Sequence, residues 1–447
     1  MTVETIPGTE IRYGLISFDA KGQERAEGGA LMSAQLVERA VGTAITDVFF
    51  FSHGWKGDVP AAKDQYNRWI GALMRSADLG QAPGVLQGFS PLLIGLHWPS
   101  LPWGDEELGS GGSFGAGAGL SVDRLLQNYL DILGHEPGIR GPLEVIFGEA
   151  RRNMAPDSLP APVREAYKQL NDELDLGSEG VGGAPDADRE GFDPDESIGQ
   201  PQSFGGGGDE NLGGILGPLR QLSYWTMKKR ARSIGEGGMH GFLVNLQNAT
   251  AARRTRIHLM GHSFGTIVVS SMVGGPGGQA PLPRPIDSMS LVQGAVSLWS
   301  YASAIPFHNA GPGYFNRILT DRKVRGPIAV TTSIYDKAVG AFYPFASRID
   351  GSASFPVGVL PEFGALGSFG MQGIGQAAAL KMLNTADRYG FEPGRVYNLE
   401  SSQFICKGSG ASGAHSDIDG PEVAHMIWAA AFASTAAVAS NSTRAAG

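Results

Sequence analysis

Residues 256–271 read RIHLMGHSFGTIVVSS. Apolar side chains at Ile257, Leu259 and Met260 lead into Gly261-His262-Ser263-Phe264-Gly265, and Thr266-Ile267-Val268-Val269 carries the apolar pattern on. The first run has the length of a buried strand and the second continues as a helix. Small residues two before and two after a serine let a strand turn sharply into a helix. The serine then sits at the apex in a strained conformation with its hydroxyl exposed. The next N–H lies at the positive end of the helix. In a chain with 66 glycines among 447 residues the five-residue pattern is weak alone. Its place between strand and helix is what gives it weight.

The flanking chain repeats the theme. Residues 11–19 (IRYGLISFD), 44–51 (AITDVFFF) and 91–98 (PLLIGLHW) read as strands, the last two almost continuously apolar. Continuous runs fit strands covered on both faces, as in parallel sheets. Between them, Tyr66, Trp69, Ile70, Leu73 and Met74 fall at helical spacing. Strand, helix, strand makes a βαβ unit. After the opening stretch, residues 288–295, 327–334 and 395–399 read as further strands, and residues 421–438 as a closing helix.

Residues 99–217 differ. A glycine tract (GSGGSFGAGAG, 109–119) lacks the Lys-Ser/Thr ending of a phosphate loop. Helical patterns follow at 121–133 and 163–176, and residues 177–217 are Gly-, Asp- and Glu-rich, a composition of partial disorder. This block reads as an insertion. Order resumes at 219–233, where Leu222, Trp225 and Thr226 share a helix face.

Composition narrows the function class. The 42% hydrophobic fraction suffices for a sizeable core, and the net charge of −9 argues against a nucleic-acid partner. The densest basic cluster, Lys228-Lys229-Arg230-Ala231-Arg232, reads as a solvated helix face. A single cysteine, Cys406, excludes an intrachain disulfide; its flanks suggest a buried strand end. No basic n-region precedes an apolar stretch at the start, and no run is long enough for a transmembrane helix, so a cytoplasmic protein is expected. The HExxH pattern and His/Cys clusters are missing from the sequence, so neither a metal nor another cofactor is expected.

On the elbow at Ser263, the His53-Gly54 turn behind an apolar strand, and a late acid and histidine, the chain resembles the α/β-hydrolases. The resemblance covers roughly residues 45–98 and 219–435; the insertion has no counterpart in it. It implies an α/β-hydrolase fold, with a mostly parallel central sheet and helices on both faces. Residues 1–98 and 218–447 would form the catalytic domain, with 99–217 as the insertion. It also implies the chain order nucleophile, acid, histidine.

A serine hydroxyl needs a base within hydrogen-bond reach, and the base an orienting acid. Of nine histidines, His53, His97, His135, His240, His258 and His262 precede Ser263. His262 should point away from Ser263 at so sharp an elbow. His425 lies within the closing helix and reads as packed; His308 comes before the expected acid. His415, in a flexible loop after the last strand, is the candidate base. Asp336, in the turn behind residues 329–335, is the candidate acid, with Asp321 and Asp350 as fallbacks; Asp417 and Asp419 are too near His415. An oxyanion hole needs two backbone N–H groups. Phe264 would supply one. By resemblance Trp55 supplies the other, with Gly54 letting the backbone approach the substrate.

The expected activity is hydrolysis of carboxylic esters through an acyl-enzyme, as in carboxylesterases and lipases, on a small, apolar ester. An acyltransferase with the same triad, or a non-catalytic binding protein on this fold, remain the alternatives. Trp103, Phe114, Leu125, Leu126, Tyr129 and Ile132 fit an apolar lid, and equally a spacer or partner-binding segment.

Overall fold

In the computed structural model the described residues are 3–26, 28–54, 59–100, 122–153, 156–197, 214–308, 310–341 and 360–444. Their centre is set by β3 (Asp47–Ser52), buried at every position. Its side chains alternate between two cores: Val48 and Phe50 join one apolar cluster, Phe49 and Phe51 the other. A strand that feeds two cores must be covered on both faces, and a continuous apolar run satisfies that.

Around β3 the chain builds one nine-stranded sheet in the order β1-β2-β4-β3-β5-β6-β7-β9-β8. The other strands are β1 (Val3–Thr5), β2 (Arg12–Ser17), β4 (Pro91–His97), β5 (Arg256–His262), β6 (Ser288–Val292), β7 (Ile328–Thr332), β8 (Ala377–Lys381) and β9 (Val396–Glu400). Only the β1–β2 pair is antiparallel. The expectation of a mixed α/β protein with a mostly parallel sheet holds. The sequence reading missed the two edge strands, β1 and β8.

The main helices are α1 (Met32–Gly42), α2 (Val59–Arg75), α3 (Val122–Leu133), α4 (Pro137–Ala150), α5 (Ala161–Glu173), α6 (Gly217–Ile234), α7 (His240–Ala249), α8 (Gly265–Gly274) and α9 (Pro421–Arg444). On one face, Leu36 of α1, Leu222 of α6, Leu243 of α7 and Ile267 of α8 pack with Phe50. On the other, Tyr66, Trp69 and Ile70 of α2 pack with Met426 and Trp428 of α9. Each such side chain contributes about 1.5–3 kcal/mol on leaving water.

Charge sets the register at the sheet's centre. Asp47 and Arg256, first residues of β3 and β5, stand directly opposite. The guanidinium donates from Nε and Nη2 to the two carboxylate oxygens, each at 2.6 Å, a bidentate, charge-assisted pair. Burial alone would raise the Asp47 carboxyl, but His258 and Arg256 together hold it below its usual value. The His258 contact is the longer, at 3.5 Å, so the Arg256 fork carries the pairing.

The glycine tract 109–119, Trp103 and Phe114 lie outside the described residues. What is described of the insertion is packed. Leu143, Ile146, Tyr167 and Leu170 share the apolar cluster of the sheet's first face. Ile132 is buried, and Leu126 and Tyr129 pack against the same core. Helix α4 was not anticipated, because Pro142 interrupts its helical signature. Residues 177–197 are built into the fold; residues 198–213, the rest of the block read as partly disordered up to the start of the next helix, lie outside the described residues. Glu179 N–H donates to Ala187 O at 2.7 Å and Tyr314 N–H to Gly182 O at 3.0 Å.

This segment also inverts the reading of the basic cluster as a solvated face. Lys228 is fully buried, its ammonium 4.5 Å from the Trp225 ring centre. Arg232 donates to both oxygens of Asp186, at 2.5 and 2.9 Å. Arg230 donates to Pro99 O and Ile132 O, both at 2.9 Å. Burial pushes Lys228 down to about 8 despite Asp188 and Asp186, and pushes Asp188 up to about 6 despite Lys228 and the Gly182 N–H.

Candidate active site

The candidate residues sit where parallel strands end, so the register of the sheet brings them together. Ser263 follows β5 directly and has φ +56°. A non-glycine residue held there is strained by about 1–2 kcal/mol. Three glycines make the bend possible. A Cβ on Gly261 would lie 2.5 Å from Gly265 O, one on Gly265 2.1 Å from Ser52 O, and one on Gly54 2.3 Å from Ser263 Cβ. All are far inside van der Waals contact, so β3, the turn behind it and the elbow approach as closely as backbones can. The Ser263 carbonyl accepts from Ala295 N–H at 3.2 Å and from the Thr266 hydroxyl at 2.6 Å.

His415 lies in the loop before α9. Its Nε2 stands 2.7 Å from Ser263 Oγ. Its Nδ1 stands 3.0 and 2.9 Å from the two oxygens of Asp336, which sits in the turn after β7. With Nδ1–H donating to the carboxylate, Nε2 is left to accept from the serine hydroxyl. Ser263, Asp336 and His415 are all buried. The chain around them is closely tied: Asp336 bridges Gly413, and Ala414 N–H donates to Tyr335 O at 2.8 Å.

Phe264 follows Ser263 at the N-terminus of α8, its ring 5.2 Å from that of Tyr224 on α6. Gly54 lies against Ser263, as its close approach requires. The Gly54 carbonyl faces His53 Nδ1 at 2.6 Å and accepts from Ser100 Oγ at 3.2 Å. His53 N–H donates to Tyr66 Oη at 2.9 Å. Trp55 lies outside the described residues. The fallback Asp321 is at the end of a short helix with Arg317 as its ion-pair partner at 3.1 Å, and Asp350 lies outside the described residues.

Two further side chains contact the trio, and one of them, Gln293, belongs to no motif. Gln293 Nε2 donates to Asp336 Oδ2 at 2.8 Å, while its Oε1 accepts from the Thr331 hydroxyl at 2.9 Å. It too is held at positive φ, +47°. His262 is buried between α2 and the His415 loop. Of the remaining histidines, His425 bonds Asp78 Oδ2 at 2.8 Å, a packed role as expected, and His308 pairs with Glu362 at the surface. Cys406 is exposed in the turn after β9 and is no buried strand end. Its N–H and that of Lys407 donate to Asp417 Oδ2, at 2.9 and 2.7 Å.

Among the described residues no group of three or more His, Cys, Asp or Glu side chains is placed to hold a metal ion. Among the same residues no helix is long and apolar enough to cross a membrane. Comparison with protein-family models, with curated proteins and with solved structures returned no match.

Proposed function

We propose that the chain is a serine hydrolase with the α/β-hydrolase fold, cleaving carboxylic esters through an acyl-enzyme. The observation that carries the reading is the continuous relay from Ser263 Oγ to His415 Nε2 at 2.7 Å and from His415 Nδ1 to Asp336 at 2.9 Å, mounted on a strained elbow. Three residues from separate parts of the chain, 152 and 79 positions apart, meet in the geometry that activates a nucleophile.

In this reading His415 Nε2 takes the hydroxyl proton as Ser263 Oγ attacks the carbonyl carbon. Asp336 holds the tautomer and stabilises the imidazolium. The negative charge on the carbonyl oxygen develops toward the Phe264 amide at the start of α8, where the helix dipole favours it. Trp55 is the proposed second donor and Gly54 the residue that admits the substrate. His415 returns the proton to the leaving alkoxide. Water, deprotonated by the same nitrogen, then attacks the acyl carbon and releases the acid and Ser263.

The test combines covalent labelling with turnover. A fluorophosphonate should label the wild-type chain and not Ser263→Ala. Hydrolysis of p-nitrophenyl esters of increasing chain length should fall by about 10⁴-fold in Asp336→Asn. A wild-type chain that takes no label and turns over no ester ends this reading; unchanged turnover in Asp336→Asn removes the acid from it.

A further inference from the structure

We propose that His262, the neighbour of the nucleophile, is a positioning residue for the base, a role that rests on the hydrolase reading above. Its ring nitrogens face Gln65 on α2 and the backbone of His415, the residue that reaches Ser263. His262 Nε2 lies 2.8 Å from the His415 carbonyl oxygen, and Nδ1 lies 3.0 Å from Gln65 Nε2 on α2. A carbonyl only accepts, so Nε2 carries the proton; the Gln65 amide nitrogen only donates, so Nδ1 accepts. The neutral Nε2–H tautomer satisfies both contacts.

The consequence is geometric. His415 belongs to a loop, not to the sheet. Its N–H is held within that loop, by Ser412 O at 3.2 Å. Its carbonyl is tied to the last residue of β5, one position before the nucleophile. The His262 ring lies 4.9 Å from the His415 ring and 6.4 Å from the edge-on Trp69 ring, so it cannot swing without disturbing the α2 face. One rigid strand end therefore carries Ser263 and fixes the loop bearing its base. Registering two groups that must meet at 2.7 Å is a function that packing alone does not require.

The experiment uses the full chain, with active sites counted by fluorophosphonate. His262→Phe keeps a ring and removes both nitrogens; His262→Gln keeps an amide donor. Per labelled site, His262→Phe should lose about 10- to 100-fold in kcat, with KM within about threefold of wild type. His262→Gln should recover most of the loss. Gln65→Leu, which frees the far side of the ring, should show a smaller loss of the same kind. Wild-type kcat in His262→Phe, or equal losses in His262→Phe and His262→Gln, overturns the proposal and leaves the hydrolase reading standing. If His262→Phe does not fold, an unchanged kcat in Gln65→Leu overturns it. A wild-type chain that neither labels nor turns over overturns both.

Discussion

Gly54→Ala is the perturbation whose size follows most directly from the packing at the elbow. The added Cβ would lie 2.3 Å from Ser263 Cβ and 3.0 Å from Ser263 Oγ and His262 O. Carbon atoms pack at about 3.5–4.0 Å, so the shortfall against Ser263 Cβ is at least about 3.5 − 2.3 = 1.2 Å. Neither side yields easily: His53 and Gly54 are buried, and Ser263 is held by bonds to Val292 O and from Ala295 N–H. A displacement near 1 Å between reacting groups costs about 100-fold in rate, and the overpacking itself about 1–3 kcal/mol of stability. Gly54→Ala should therefore remain folded, melt somewhat lower, and lose at least about 100-fold in both fluorophosphonate labelling and ester turnover. Gly241→Ala is the matched control. A Cβ there meets no heavy atom within 4 Å, and the change within α7 should stabilise by about 0.5–1 kcal/mol without touching turnover. Labelling of Gly54→Ala at the wild-type rate would refute the reasoning, since the elbow would then not be packed against the β3 turn.

Two further outcomes concern buried charge. Asp47→Asn should cost about 3 kcal/mol near neutral pH by leaving Arg256 without its carboxylate. Because the folded Asp47 pKa is depressed, its contribution is present above the unfolded value of about 3.9 and lost as pH falls through the folded one. Urea unfolding should show the two proteins converging in acid; a pH-independent gap would contradict the pairing. Lys228→Met should destabilise by about 3–5 kcal/mol around pH 7, where Lys228 is still mostly charged and its removal leaves the Asp188 carboxylate buried without that ammonium. Asp188 is already raised to about 6 and would rise further, so its protonated form fits the fold and the deficit should shrink as pH falls. Thermal melts on either side of that range decide it, and a deficit that grows in acid would reverse the assignment.

The central sheet was legible because its strands bury both faces, and that demand writes itself as runs such as Asp47-Val48-Phe49-Phe50-Phe51. The edge strands carry no such demand. Ala377–Lys381 is mostly exposed and its alanines favour helix; only pairing with β9 makes it a strand. Three candidate residues, Ser263, Asp336 and His415, could be picked by position relative to strands, and they lie together. Gln293 could not, because nothing local marks a glutamine whose partner is 43 residues away. The basic run of α6 misled for a related reason. Local pattern shows Lys228 and Arg232 but not Asp186 and Asp188, which arrive from the insertion.

The clasp that Asp417 makes on the amides of Cys406 and Lys407 closes the loop carrying His415, and it ends on the chain's single cysteine. Because that thiol is exposed, one maleimide dye attaches at one defined point without any cysteine having to be engineered away. The fluorophore would ride at the foot of the loop that carries His415, so its emission would become an optical gauge of how far that loop yields when a fluorophosphonate is added.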